Sequence, residues 1–308
     1  LKLENKILNF NEDLILVYQM GKVASSTIYS SLIKRGFNTF HFHHLNDKTS
    51  SQLEYIIKHS YAPTNYIEEI LRGNLRSKFF LNRFFLNNKQ HFNRIKIISI
   101  TREPISYLIS AFFQNYSSLY SYYYTKTNST DKYSVKNLKS LKKYFLNYID
   151  KYLEIYSNSN SIDDDNYQEL WENIKDTDLK HFLLLCRWPL IWFDREMNNI
   201  FDFDIFNFEF DKNSGFNVYN INGVSKLVFK IEKFKDIAKK QIGNFVNDNE
   251  FEIINDNIST EKEYKKLYKE FCSSIILPKE FIEYQYSSKY AKFFYTNKEL
   301  NNFSKKWV

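Results

Sequence analysis

The chain is poor in the residues that punctuate a backbone. Its 308 residues include only six glycines and four prolines, which excludes collagen-like and linker-like chains. Two cysteines, Cys186 and Cys272, are too few for a disulfide framework or a cysteine-built zinc site, so a reducing compartment is the default. No uninterrupted apolar run reaches the ~18 residues that a membrane span needs. The best candidate, Phe182 to Phe193, is broken by Arg187 and Pro189. No secretory signal is visible, and the start on Leu1 rather than Met suggests a trimmed or processed chain. A strong charge of one sign is missing too. Lys and Arg number 43 against 36 Asp and Glu, a net +7 that favours anionic ligands without naming them. The basic residues are spread, with short runs such as Lys239-Lys240 and Lys265-Lys266 set among acids, so no nucleic-acid stripe is present. A cytoplasmic protein is expected, with a peripheral station at membrane-bound synthesis machinery as the variant.

Hydrophobic residues at 43% and charged residues at 26% describe a globular chain able to bury a large core. The 19% aromatic content reads as the codon bias of an AT-rich genome and carries no function by itself. Sequons at Asn115, Asn128 and Asn257 are what an Asn-rich chain produces by chance.

There is no internal repeat and no clear linker. Leu14 to Tyr18 is a short apolar run of the kind that buried parallel strands show. A small-residue loop, Met20 to Thr27, precedes a helical pattern that carries Ile28, Leu32 and Ile33 and stops at Gly36. Phe37 to His43 reads as a second strand, residues 50–94 as helical and mixed, and Ile95 to Ile100 as a third strand. Pro104 suits the first turn of a helix running to about Tyr116. A polar insertion or lid is expected over about 117–180, with a Tyr patch at 120–124, acids at 163–165 and helix between Lys136 and Tyr156. A helix around His181 to Met197 should be interrupted at Pro189. Phe203 to Phe210 and Gly215 to Asn220 look extended, as a hairpin. Val224 to Ile231 is a further strand, Lys233 to Val246 its helix, and 247–308 a helical C-terminal region with Lys262 to Phe271 amphipathic. The alternation predicts one α/β domain over 1–308, three-layered, with a central parallel sheet flanked by helices.

The first βα loop is where an anion is expected. Helix N-terminal N–H groups are unpaired, the dipole is positive there, and small residues let the backbone wrap an oxyanion. Gly21 permits the turn, Lys22 adds charge, Val23 and Ala24 are small, and Ser25, Ser26 and Thr27 bring hydroxyls. A simple N-cap is the plain alternative. The order is wrong for a Walker loop, because Gly21-Lys22 comes at the front with no earlier glycine. The run resembles instead the 5′-phosphosulfate loop of sulfotransferases, which wraps 3′-phosphoadenosine 5′-phosphosulfate (PAPS). A second motif agrees: Arg102-Glu103-Pro104 at a strand end with Ser110 eight positions on resembles their 3′-phosphate motif. Together with Trp192-Phe193-Asp194-Arg195-Glu196, these segments resemble, over roughly 12–245, a sulfotransferase-like family of bacterial capsular polysaccharide synthesis proteins. The last segment has no role of its own in this reading; as a plain amphipathic helix it would dock Trp192 and Phe193 and leave Asp194 and Arg195 solvated.

The resemblance implies a P-loop-like fold and transfer of the PAPS sulfuryl group to a carbohydrate hydroxyl, with adenosine 3′,5′-bisphosphate as product. Gly21 to Thr27, Arg102 and Ser110 would hold the donor, with Lys22 at the bridging oxygen and no metal. It names neither the sugar nor the position sulfated and sets no oligomeric state. For the base, Phe40 to Asn46 holds three of the six histidines. Period-two alternation puts His41 and His43 on one face and starts the loop at His44. His44 is preferred and then His43, because an imidazole suits proton abstraction near neutral pH; the segment also resembles the His-bearing strand end of uronyl 2-O-sulfotransferases. Structural histidines, a His-rich zinc site, and Glu54, Glu68 or Glu69 as base remain open. A glycosyltransferase or kinase of polysaccharide synthesis, or a non-catalytic nucleotide-binding relative, is the alternative; Asp202-Phe203-Asp204 has the form of a glycosyltransferase metal motif.

Overall fold

Leu14–Tyr18 (β1) has no charged side chain, and all five residues are buried. A strand buried on both faces belongs inside a parallel sheet, and β1 lies there: Thr39–Phe42 (β2) pairs with it on one side and Ile95–Thr101 (β3) on the other, both parallel. The structure is a computed structural model that describes residues 13–59, 72, 73, 75, 94–119, 137–157, 172–254 and 264–308. The Tyr patch at 120–124, the acids at 163–165, Glu68, Glu69, Asn128, Asn257 and residues 120–136 and 158–171 of the expected insertion lie outside these residues.

The chain divides into two compact units. The first comprises Leu1–Ser50, Leu71–Arg102 and Ile191–Ile258 and contains a five-stranded sheet in the order β2-β1-β3-β5-β4. Ser25–Lys34 (α1) connects β1 to β2, and Asp47–Lys58 (α2) begins after β2. Val224–Lys230 (β5) runs parallel to β3, and Phe216–Ile221 (β4) is the antiparallel edge. The sheet is thus mixed and mostly parallel, flanked by helices. From β1 the chain moves outward to β2 and then returns to place β3 on the other flank. That reversal makes the carboxyl ends of β1 and β3 a topological switch point, where such sheets hold ligands.

The second unit, Ser51–Ile70, Glu103–Leu190 and Ser259–Val308, is helical among its described residues. It contains Pro104–Leu119 (α3), Leu138–Ser157 (α4) and most of Thr177–Trp192 (α5). Its core uses the abundant aromatics: Phe112 meets Phe145 at 5.0 Å and Phe113 meets Phe271 at 5.1 Å between ring centres. Phe234–Val246 (α6) follows β5 in the first unit. The C-terminal helices are Lys265–Ser274 (α7), Lys279–Ser287 (α8), Lys289–Phe294 (α9) and Asn297–Ser304 (α10).

Two expectations need correction. The hairpin is β4–β5, not 203–210 with 215–220; the former segment contains only a 3₁₀ turn, Ile205–Asn207. Its phenylalanines pack instead of pairing, with Phe203 and Phe208 stacked at 5.5 Å. Pro189 does not interrupt α5, which runs on to Trp192 and widens into a π-helix over Phe193–Asn198. Asn222 and Gly223, with φ of 53° and 77°, form the two-residue turn between β4 and β5. Both central residues of such a turn need φ > 0. Gly223→Val should therefore lower the stability in urea unfolding by about 1–2 kcal/mol, the cost of a side chain in the left-handed region.

Candidate anion-binding site

The loop that leaves β1 is wound to the left. Gly21, Lys22 and Ala24 have φ of 86°, 55° and 61°, two of them residues with a Cβ. Such conformations persist only where the surroundings impose them. Val23, buried, plugs the loop into the core. Gly21 N–H donates to Gln19 Oε1 at 2.6 Å, and the Arg102 guanidinium donates to the Lys22 carbonyl at 2.7 Å. The two predicted phosphate motifs are thus joined by a hydrogen bond.

Helix α1 begins on this loop without the usual cap. The capping residue is Ala24 in the left-handed region, with no side-chain cap bond, and no acid stands in the first turn. Ser25, Ser26 and Thr27 lie inside the helix rather than before it. The simple N-cap alternative therefore fails. First-turn amides have no partner within their own helix, and an N-terminus bearing no acid is the electrostatic setting that an external anion complements. Some other helix starts are closed: Glu103 takes Ile105 N–H at 2.7 Å and Ser106 N–H at 2.8 Å at the start of α3, and Thr296 with Glu299 forms a capping box on α10, whereas α6, α7 and α8 also lack a side-chain cap bond. At the end of β3, Thr101 Oγ1 is buried with no hydrogen-bond partner.

The histidines stand as alternation predicted. His41 and His43 share a face, with ring centres 4.6 Å apart and rings nearly perpendicular, and His41 stacks on Tyr29. Gln19, fully buried, joins them: its Nε2 is 3.4 Å from both His41 Nε2 and His43 Nδ1, and its carbonyl is 3.2 Å from His43 Nδ1. The surrounding protein lowers the His41 pKa to about 4. It also lowers that of His43, helped by His41 and by the ammonium of Lys22. Both rings are therefore neutral at pH 7. His44 follows, half-buried, at the start of the connection to α2.

Sequence reasoning gave Trp192 to Glu196 no role, yet this segment fixes the ends of β1 and β2. Trp192 Nε1–H donates to the His43 carbonyl at 2.8 Å. Glu196, fully buried, accepts from Tyr18 OH at 2.5 Å, Leu45 N–H at 2.7 Å, Asn46 N–H at 3.0 Å and Thr49 Oγ1 at 3.0 Å. Burial, and then the adjacent carboxylate, pushes the Tyr18 phenol well above its ordinary pKa. Arg195 is buried rather than solvated, and its carbonyl accepts from Asn46 Nδ2. The only trace in the sequence was the pairing of a Trp with charged residues in an apolar helix.

The remaining predicted residues are placed as follows. Ser110 is half-buried on α3 in the second unit, and Glu54 lies on α2. Asp204 spends its carboxylate on Phe206 N–H, capping the 3₁₀ turn. Among the described residues there is no group of three or more His, Cys, Asp or Glu that could hold a metal, and no helix long and apolar enough to cross a membrane.

Two outcomes are expected. Glu196→Ala leaves four donors without their acceptor and should cost about 3–5 kcal/mol by chemical denaturation, the usual range for breaking a buried charged network. Lowered folded-state histidine pKa values mean that the unfolded chain binds more protons as pH falls. Stability should be complete above pH 6.5 and decline on acidification toward pH 4. In Tm measured against pH, His41→Asn should reduce that decline.

Comparison with known proteins matches residues 185–296, just over a third of the chain, to the family model NKWYS, "Putative capsular polysaccharide synthesis protein". Of the three segments behind the predicted resemblance, only Trp192 to Glu196 lies within the match, which extends past 245 to residue 296. No curated protein and no solved structure matches the chain.

Proposed function

We propose that the protein is a PAPS-dependent sulfotransferase acting on a carbohydrate hydroxyl in capsular or surface polysaccharide synthesis, with a P-loop-like sheet. The observation that carries this reading is the uncapped, left-handed loop before α1, joined to Arg102 at the switch point of the sheet. The family match to capsular polysaccharide synthesis supports the acceptor class.

The chemistry needs no covalent intermediate. The acceptor oxygen attacks sulfur in line, its bond to sulfur forms, and the bond from sulfur to the bridging oxygen breaks. Charge gathers on that oxygen as adenosine 3′,5′-bisphosphate leaves. Lys22 and the first-turn amides of α1 meet this charge, a preorganised electrostatic role like that in phosphoryl transfer. Arg102 supplies a fork for a phosphate. A histidine at the end of β2 takes the hydroxyl proton.

Thermal unfolding with added nucleotide tests the reading. Adenosine 3′,5′-bisphosphate at about 100 times its Kd should add about 2.7 kcal/mol of apparent stability, whereas ATP or a UDP-sugar with Mn²⁺ should not. A larger shift with the UDP-sugar and metal would overturn the proposal. Lys22→Ala or Arg102→Ala should each weaken bisphosphate binding about 10- to 100-fold, the worth of one charged hydrogen bond.

A further inference from the structure

Gln19 was not singled out by the sequence, yet it touches three parts of the site. Its Oε1 accepts from Gly21 N–H, a partner that can only donate. That fixes the carboxamide with its NH₂ toward the histidines, so Nε2 donates to His41 Nε2 at 3.4 Å. The main-chain carbonyl of Gln19 faces His43 Nδ1 at 3.2 Å, nearer than the carboxamide nitrogen at 3.4 Å. A carbonyl can only accept, so the proton of a neutral His43 sits on Nδ1 and Nε2 holds the lone pair. The His43 ring packs on Gly21, where a side-chain carbon would lie 3.7 Å from Nδ1. Trp192 Nε1–H holds the His43 carbonyl.

We infer that Gln19 is the positioning residue of this site, its main-chain carbonyl holding His43 with Nδ1 protonated and Nε2 as the proton acceptor, and its carboxamide holding that carbonyl in place. This rests on the proposed function only in what the lone pair does; the tautomer is a property of the chain alone. The carboxamide acts by closing the turn from Gln19 to Gly21 and by fixing His41 against His43. Without it, the carbonyl that faces Nδ1 is no longer held in place. His43 rather than His44 is then the base, because its lone pair is fixed by bonds that tie it to the anion loop. A proton taken by Nε2 creates an imidazolium whose Nδ1–H is already bonded to a carbonyl, the arrangement that stabilises the charged ring.

The test uses the full chain with ¹⁵N-labelled histidine and two-bond ¹H–¹⁵N correlation at pH 7.5, His43 being assigned by His43→Asn. The expected spectrum shows His43 with a protonated Nδ1 and a bare Nε2. In Gln19→Leu, similar in volume and without polar atoms, this fixed tautomer should be lost and the Nε2 signal should move toward the protonated form. If Gln19→Leu does not fold, Gln19→Met, unbranched at Cβ and likewise without the carboxamide, is read in the same way. A wild-type His43 protonated mainly on Nε2 overturns the inference, as does a folded variant with an unchanged tautomer. Calorimetric titration with adenosine 3′,5′-bisphosphate separates the two claims. No binding alongside the expected tautomer removes the proposed donor and leaves the positioning role standing. Binding alongside the wrong tautomer does the reverse.

Discussion

A carboxylate sealed from water is tolerable only when donors surround it, and Glu196 finds four, from β1, from α2 and from the turn between β2 and α2. This demand fixes the geometry of the site. Tyr18 immediately precedes Gln19 and the anion loop; Leu45 and Asn46 immediately follow the histidines. Trp192, one turn before Glu196, takes the His43 carbonyl as acceptor. Two strand ends are thus pinned by a segment about 150 residues further along the chain. Because the network is charged and fully satisfied, it has few alternative arrangements of similar energy.

A second cost sits in the loop itself. Lys22 and Ala24 in the left-handed region store on the order of 1–2 kcal/mol each. Gln19, Arg102 and buried Val23 hold them there. A loop of this shape turns successive amides toward one concavity, and the helix that follows carries no acid to neutralise them. In the same chain the starts of α3 and α10 are closed by Glu103 and by Thr296 with Glu299. Starts without a side-chain cap recur at α6, α7 and α8, so it is the left-handed loop joined to Arg102, more than the missing cap, that sets α1 apart.

What could be read from the sequence was what local chemistry decides. The apolar run of β1, the small loop, the stop at Gly36 and the start at Pro104 each carry their signal within a few residues, and alternation alone placed His41 and His43 on one face. The hairpin was also legible, because Asn222-Gly223 is the strongest short turn signal. The alternating phenylalanines of 203–210 mimic a strand pattern, although Phe203 and Phe208 pack on one another and on Tyr219 rather than pairing as a strand. Pro189 misled for a different reason: proline removes one helical hydrogen bond, and burial of the surrounding Trp188, Trp192 and Phe193 outweighs that loss. Gln19 and Glu196 were illegible in principle. Their partners lie up to 24 and 178 residues away, so their roles exist only once the sheet has formed.

The segment matching the polysaccharide-synthesis model holds the acceptor Glu196, while the donors to it lie in the unmatched N-terminal part. Two of those four donors are main-chain amides, which any residue except proline presents. The matched segment therefore constrains the N-terminal part through its backbone and its side chains alike. The groups that would select an anion and move a proton, Lys22, Arg102 and His43, all stand outside the match. The family description thus speaks for the frame, and the case for sulfuryl transfer stands on the loop and the strand end that the frame holds.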